Sequence, residues 1–286
     1  MRIDILTEPL PPPFWWDPLQ PWRGTEEFYT QTATHLNHMG HHVRVFYDGL
    51  RQRVDGADYL PRNQYKGDCD ALLVCNTHPS TTHPNAVRWT NLATDRLVNM
   101  PAGYKAHVVI SPYARDLFGG GSIVGHGYDP EEYFAPVPSG SRDPIVFFTS
   151  SPDRGGDFLR SIAPRVYRAT GHRFVFAYDG KRSEREMATL YRKAAAWVHP
   201  GLGTELFCIS ALKAQISGAI PVVVPNQALA TTVRFGVKTT LDAFADDLIG
   251  LLNDRERQRE IRNLMAMARF PTWGEVTAEL ERVLCS

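Results

Sequence analysis

Short apolar runs typical of buried strands alternate with longer amphipathic stretches typical of helices along the whole chain. The chain opens with a strand pattern at residues 1–6, a helix at about 25–39 that ends at Gly40, and a second strand at 42–47. Alternating strands and helices pack as parallel sheets covered by helices. This first βαβ unit therefore predicts an α/β fold.

The same alternation continues on both sides of one turn-rich passage. Before it, strands are predicted at 70–75, 86–90 and 106–111, with a helix at 112–117. Residues 124–129 and 134–144 show no periodicity. After them we predict strands at 145–149, 173–178, 196–199 and 220–224, and helices at 156–170, 183–195, 205–217 and 276–284. The pattern predicts two Rossmann-like domains, 1–138 and 139–286.

A loop rich in proline and aromatic residues follows the first strand at 8–23, and its prolines exclude a regular helix or strand there. Phe14, Trp15, Trp16 and Trp22 lie in this loop. Aromatic faces suit stacking on sugars or bases, which makes these side chains candidates for binding an acceptor. The alternative is that they only pack the loop onto the first domain.

The composition is typical of a globular protein, and the balanced charges give it no strong overall electrostatic field. Of 286 residues, 43% are hydrophobic, and 31 basic side chains balance 31 acidic ones, so neither nucleic acid nor an anionic membrane is recruited by net charge. Residues 1–143 carry 12 basic and 16 acidic side chains, whereas 144–286 carry 19 and 15. The C-terminal half is therefore the better place for an anion.

Cysteine and histidine positions suggest neither a disulfide framework nor a metal site. The cysteines form no Cys-x-x-Cys pair: Cys69, Cys75, Cys208 and Cys285. His35, His38, His41 and His42 spread over a helix end and a strand, with no cysteine or carboxylate to complete a ligand set, so we expect solvated histidines. The chain begins with a strand pattern and contains no apolar run long enough to span a membrane, which predicts a cytoplasmic protein.

Two strand-loop-helix junctions in the C-terminal half concentrate the candidate chemistry. At 150–156, glycines beside Arg154 allow the backbone to approach an anion that the guanidinium can bind. At 200–208, a glycine loop brings Glu205 to a predicted helix N-terminus. Taken singly, each junction could be ordinary: a surface arginine in one case, a capping Thr204 followed by an acid in the other.

The order of these segments resembles glycosyltransferase family 4, whose members have the GT-B fold of two Rossmann-like domains facing a cleft. The central matches are His199-Pro200, residues 205–208, 211–214 and 218–223. Weaker matches lie at 24–26, 40–43, Ser111 with Arg115, 125–129 and 151–155. Together they cover most of the chain, which is short for the family. The resemblance also implies that the last helix crosses back onto the first domain.

The resemblance implies that Arg154 contacts the donor pyrophosphate, that Glu205 binds the transferred sugar, and that backbone amides of Leu206 and Phe207 help neutralise the phosphates. The donor-binding residues it implies are Gly24, Ser151, Arg154, Gly155, Gly203, Thr204, Glu205, Leu206, Phe207 and Lys213. Such enzymes usually retain the anomeric configuration, with no metal in the site and no cofactor beyond the nucleoside-diphosphate sugar.

On the acceptor side, the resemblance favours a histidine shortly after the strand that ends at Cys75. His78 and His83 are the candidates there, and with Asp95 they could orient the acceptor hydroxyl. We interpret His78 and Asp95 as candidate catalytic residues and His83 as acceptor-binding. The alternative is that all three are plain loop residues.

One position departs from the family pattern, because Lys213 stands where the second Glu of Glu-x7-Glu is expected. That Glu normally accepts hydrogen bonds from ribose hydroxyls, and an ammonium has no acceptor lone pair. Lys213 could bind a phosphate or an acidic sugar, pair with Glu205, or mark a site that has lost activity. We favour altered nucleotide handling.

The sequence therefore predicts a glycosyltransferase that moves a sugar from a nucleoside-diphosphate sugar to a hydroxyl acceptor. The acceptor could be a glycan, a lipid, a protein or a modified nucleic-acid base. Two rival hypotheses are a non-catalytic nucleotide- or sugar-binding module of the same fold and a sugar-nucleotide epimerase.

Overall fold

The computed structural model of the chain describes residues 1–9, 16–19, 24–76, 83–91, 103–133, 142–179 and 182–286. It divides into two compact units: unit 1 contains Met1–Gly127 and Pro271–Ser286, and unit 2 contains Tyr128–Phe270. The sequence-based boundary near 138 lies beyond Gly127, where the structure divides. Each unit is a mainly parallel sheet with helices, so the predicted α/β class is confirmed.

The strands within the described ranges are β1 (Arg2–Leu6), β2 (His42–Tyr47), β3 (Gln52–Val54), β4 (Ala57–Pro61), β5 (Ala71–Cys75), β6 (Ala86–Thr90), β7 (Ala106–Val109), β8 (Ser122–Ile123), β9 (Asp143–Phe148), β10 (Arg173–Phe176), β11 (Ala194–His199), β12 (Ile220–Val223) and β13 (Val237–Lys238). The helices are α1 (Gly24–His38), α2 (Pro112–Leu117), α3 (Pro130–Tyr133), α4 (Gly156–Thr170), α5 (Glu184–Lys193), α6 (Ile209–Ser217), α7 (Leu229–Thr232), α8 (Phe244–Asn253), α9 (Arg255–Met267) and α10 (Trp273–Cys285). Among these described helices, none is both long and apolar enough to cross a membrane.

Unit 1 is built on a sheet of order β3-β4-β2-β1-β5-β6-β7-β8, in which only the β3–β4 pair is antiparallel among the described strands. Helix α10 packs against α1 and reaches β5 and β6. Its first residue, Trp273, is buried as an anchor of this core and meets Phe28, which stacks on Trp89 at 3.6 Å between ring centroids. The chain's last helix therefore completes the core of unit 1.

Unit 2 is built on a parallel sheet of order β10-β9-β11-β12-β13. Side chains alternate across each strand, so Ile145 and Phe147 of β9 join one buried cluster while Val146 and Phe148 join another. Strand β11 is buried along its whole length, as its apolar run predicts for a central parallel strand. Two apolar layers thus fix the strand ends that carry the candidate chemistry.

The predicted helix at 205–217 is wrong at its start, because α6 begins only at Ile209. Cys208 precedes it with a φ of 60°, a left-handed conformation that interrupts a right-handed helix. The Glu205 carboxylate accepts a hydrogen bond from the Cys208 amide at 2.9 Å and closes a turn ahead of the helix. Thr204 is therefore not a helix cap, and Glu205 lies in a loop.

Arg142 joins the C-terminal ends of two helices of unit 2. Its guanidinium donates to the carbonyls of Tyr191 and Arg192 at the end of α5, and to that of Ser217 at the end of α6, at 2.8 Å. Burial, and then the charge of Arg262, lowers the pKa of Arg142 to about 10. The side chain therefore stays charged at neutral pH and neutralises carbonyls that lack a helical partner.

We expect Arg142→Met to lower the free energy of unfolding by about 3 kcal/mol, because it leaves partly buried carbonyls without their donors. Urea unfolding measures this change. Arg165→Met is the matched control, since Arg165 pairs with Asp246 on the exposed surface and its loss should cost less than about 1 kcal/mol. Equal losses in both variants would contradict the role of Arg142.

Candidate active site

The two glycine loops of the sequence meet at one edge of the unit 2 sheet. Strands β9 and β11 are neighbours, with β10 on the outer side of β9, so the strand order reverses between them. Open α/β sheets bind ligands at the carboxyl ends of strands flanking such a reversal. The loops after β9 and β11 touch, because a Cβ atom on Gly155 would lie 2.1 Å from Cγ of Pro200.

Arg154 and Glu205 come together across these loops. Arg154 donates from Nη1 to Oε2 of Glu205 at 3.1 Å, while Oε1 of Glu205 accepts from the Cys208 amide. The Glu205 amide in turn donates to the Gln227 side chain at 2.6 Å. Glu205 is 17% exposed and Arg154 is 37% exposed. The carboxylate is thus oriented by the protein, and the five-donor guanidinium is open enough to bind a further anion.

Glycines at two positions allow this approach of the loops. Gly155 has a φ of 105° and Gly203 a φ of 79°, both in the left-handed region that glycine adopts without a Cβ clash. A Cβ atom on Gly203 would lie 3.1 Å from Cγ of Arg154. The glycines therefore set both the backbone path and the room for the Arg154 side chain.

His199, at the carboxyl end of β11, supports the second loop and was given no role from sequence. The side chain is fully buried, and its Nδ1 accepts a hydrogen bond from the Gly201 amide at 3.0 Å. Burial, and then the charge of Arg154, lowers the pKa of His199 to about 4. The ring is therefore neutral at neutral pH, as an acceptor at Nδ1 must be. In the sequence, the position of His199 at the end of a predicted strand and before Pro200 could have indicated this supporting role.

Lys213 lies on α6 and is only 5% exposed. Its charge acts on the hydroxyl of Tyr191, which is also next to the side chains of Ser210 and Thr149. Burial raises the pKa of Tyr191, and the nearby ammonium opposes that rise. Since Thr149 follows β9 directly, the Tyr191 hydroxyl lies at the same strand end as the first glycine loop, and the Lys213 charge acts on it.

The remaining predicted donor-binding residues lie in separate local environments. The Ser151 hydroxyl hydrogen-bonds the Asp153 carboxyl and lowers its pKa. Thr204 is exposed between Gly203 and Glu205. Leu206 is buried in the turn ahead of α6, and the carbonyl of Phe207 accepts from the Thr232 hydroxyl at 2.5 Å. Gly24 begins α1 in unit 1.

The acceptor candidates are described only in part. Trp16 is buried and packs against Tyr29, Tyr47 and Tyr59 with ring centroids 5.2 to 6.2 Å apart, which is the packing alternative for this loop. Nε2 of His83 lies 3.0 Å from the carbonyl oxygen of Cys69. Four candidates lie outside the described residues: Trp15, Trp22, His78 and Asp95. Their proposed roles stay predictions.

The fold is that of GT-B glycosyltransferases. The chain is similar over 99% of its length to 97% of AviGT4, a glycosyltransferase involved in avilamycin A biosynthesis, with a TM-score of 0.72 and 18% identity. It is similar over 99% of its length to 98% of sucrose-phosphate synthase from Thermosynechococcus elongatus, with a TM-score of 0.71 and 13% identity. Over 100% of its length it is similar to 99% of Anabaena HepE in complex with UDP and glucose, with a TM-score of 0.68 and 13% identity.

These likenesses confirm the predicted GT-B fold, and at such identities they concern the fold alone. No protein-family model matches the chain, and no curated protein matches its sequence. The assignment to glycosyltransferase family 4 therefore stays a prediction.

Proposed function

We propose that unit 2 binds a nucleoside-diphosphate sugar and that the protein transfers the sugar to a hydroxyl acceptor. The observation that supports this proposal most is the contact between Arg154 and Glu205. The two residues lie on touching glycine loops, where the strand order of the sheet reverses. A cation for a diphosphate and an oriented carboxylate for sugar hydroxyls stand 3.1 Å apart there. In support, the structurally similar HepE was crystallised with UDP and glucose.

The proposed step breaks the bond between the anomeric carbon and the diphosphate oxygen and forms a bond to the acceptor oxygen, with retention of configuration. Negative charge grows on the departing diphosphate, and Arg154 stabilises it through its further N–H donors. The Cys208 amide fixes the orientation of the Glu205 carboxylate, which accepts hydrogen bonds from the sugar hydroxyls. The acceptor hydroxyl gives its proton to the departing diphosphate oxygen as the new bond forms on the same face of the sugar.

Calorimetric titration with UDP, GDP and ADP tests this proposal at the level of binding. We expect at least one of the three nucleoside diphosphates to bind the wild-type protein and to bind Arg154→Met much more weakly. Binding that is equal in both proteins would contradict the placement of the diphosphate, and no binding of any of the three would contradict the donor class.

We expect transfer to need no divalent cation, because Arg154 and the loop amides supply the countercharge for the leaving diphosphate. Adding Mg²⁺ or Mn²⁺ to metal-free protein should leave the initial rate unchanged. A rate that appears only with Mn²⁺ would contradict this part of the proposal.

We propose that the Lys213 ammonium contacts the anionic part of the donor. In support, Lys213 is buried and its charge acts on the Tyr191 hydroxyl, which is next to Thr149 at the end of β9. Lys213→Glu should then weaken nucleotide binding, since a repulsion replaces an attraction close to the phosphates. Calorimetry with UDP and GDP measures the sign of the change.

Lys213→Met is the matched neutral control for this substitution and should weaken binding less than Lys213→Glu does. Thermal unfolding of both variants identifies any loss of fold caused by a buried carboxylate. Tighter binding by Lys213→Glu would instead indicate a site that once used Glu for ribose, and unchanged affinity would place Lys213 outside the donor pocket.

A non-catalytic binding module of the same fold is the second candidate function, and the buried Lys213 in place of a ribose-binding Glu favours it. Such a module would bind nucleotides with Arg154 and Glu205 but would not turn over. Release of nucleoside diphosphate from a sugar nucleotide therefore separates the two functions.

A further inference from the structure

Three side chains with metal-binding atoms converge on the surface of unit 1. Nε2 of His41 lies 2.8 Å from Oε1 of Glu281, and these two atoms and Sγ of Cys285 all lie within 4.8 Å of one another. His41 is separated from Glu281 by 240 positions along the chain. The four-histidine group of the sequence does not assemble, since His42 pairs with Asp58 instead.

The framework behind these three side chains is fixed on both sides. Glu281 and Cys285 are four residues apart on α10, a spacing that places them on one face of the helix. The His41 amide donates to the Leu36 carbonyl at 3.2 Å, and the Asn37 side chain donates to the His41 carbonyl at 3.2 Å. The three side chains could therefore converge on one ion through small side-chain movements, with the backbone unchanged.

We propose that His41, Glu281 and Cys285 bind a divalent cation of the zinc class, independently of the donor site. Zn²⁺ accepts imidazole nitrogen, carboxylate oxygen and thiolate sulfur, and takes four ligands at about 2.0–2.3 Å. Three protein ligands leave the fourth position for water. A hard cation such as Mg²⁺ prefers oxygen ligands and fits this group poorly.

The charges of the group suit such an ion. A ligand set of one imidazole, one carboxylate and one thiolate carries two negative charges, which balance Zn²⁺. A bound cation would bring the thiol into its thiolate form, because a coordinating thiol loses its proton.

Bound metal would connect α10 to the chain between α1 and β2. Because α10 is reached only after the chain has passed through unit 2, the metal would tie the two sequence-distant parts of unit 1 together. A ligand that binds the folded state and not the unfolded one stabilises it. We therefore expect Zn²⁺ to raise the unfolding temperature of the protein.

Titration with Co²⁺, followed by displacement with Zn²⁺, tests the site through the near-ultraviolet absorption band of a sulfur–cobalt bond. We expect the band in wild-type protein, its loss in Cys285→Ser, and a weakening of metal affinity in His41→Ala beyond the roughly 10- to 100-fold typical of losing a group that only orients a ligand. Zn²⁺ should raise the unfolding temperature of wild-type protein and not that of Cys285→Ser.

Cys69→Ser is the matched control, because Cys69 also lies near a histidine, with its Sγ 3.4 Å from Nε2 of His83. This variant should keep the cobalt band and the Zn²⁺ stabilisation. No band in the wild-type protein, or a band that survives in Cys285→Ser and disappears in Cys69→Ser, would overturn the proposal. In the first case His41 and Glu281 form only a hydrogen bond.

Discussion

Replacement of Arg154 by methionine should lower kcat/KM for sugar transfer by a factor of about 10²–10³, the usual effect of removing one preorganised donor to a developing oxyanion. Methionine keeps much of the side-chain length but has no donor and no charge. Glu205 would keep its contact with the Cys208 amide, so the loop around it should persist. Initial rates over a range of donor concentrations measure the loss.

His199 supplies a second readout for the same variant that does not depend on activity. The charge of Arg154 contributes to the low pKa of His199, about 4, after the larger effect of burial. Removing the guanidinium should raise that pKa, while burial keeps it below the ordinary value of 6.5. An NMR titration of the ring reports the change.

Arg160→Met is the control for Arg154→Met, because Arg160 pairs with Asp179 on the exposed surface of unit 2. It should leave kcat/KM and the pKa of His199 unchanged. Equal rates in Arg154→Met and Arg160→Met would contradict the role of Arg154 at the diphosphate.

Glu205→Gln should lower kcat/KM by about 30-fold, equivalent to about 2 kcal/mol of transition-state binding. The amide keeps the size of the side chain and can still accept from the Cys208 amide, but it loses the charge that Arg154 and the sugar hydroxyls use. The free energy of unfolding should change by less than about 1 kcal/mol, since the partner Arg154 is partly exposed.

Asp179→Asn is the matched control for Glu205→Gln, because it also neutralises a carboxylate paired with an arginine of unit 2. Its kcat/KM should equal that of the wild-type protein. If Glu205→Gln were as active as Asp179→Asn, Glu205 would be a structural residue and the sugar would bind elsewhere.

Hydrophobic periodicity was sufficient to predict most of the fold. The strands at 42–47 and 86–90 and the helix at 112–117 have the predicted bounds, because an apolar run or an amphipathic period marks each one. The β3–β4 hairpin was missed although Asp55 and Gly56 signal it. Both residues have positive φ, as a two-residue hairpin turn requires.

The site was predictable as far as it depends on local sequence. Glycine loops at strand ends indicated Arg154 and Glu205, and the structure brings the two into contact. The start of α6 was not predictable from periodicity, because the left-handed Cys208 lies inside an apolar run that reads as continuous helix. The burial of Lys213 depends on packing against α5, which a sequence pattern does not give.

Contacts between residues far apart in the sequence could not be predicted from local patterns. His41 meets Glu281 and Cys285 only because α10 returns to unit 1 and packs on α1. Glu281 lies 240 positions from His41 along the chain, so no pattern of neighbouring residues could add it to the histidines.

Glycosyl transfer at the Arg154–Glu205 pair can be measured in one mass-spectrometric assay. Wild-type protein and Glu205→Gln would each be incubated with a panel of nucleoside-diphosphate sugars and acceptor extracts. We expect that the wild-type protein releases nucleoside diphosphate together with an equal amount of acceptor heavier by one sugar residue, and that Glu205→Gln forms far less of both. Nucleotide binding without any such product, or an isomerised sugar nucleotide in its place, would contradict it.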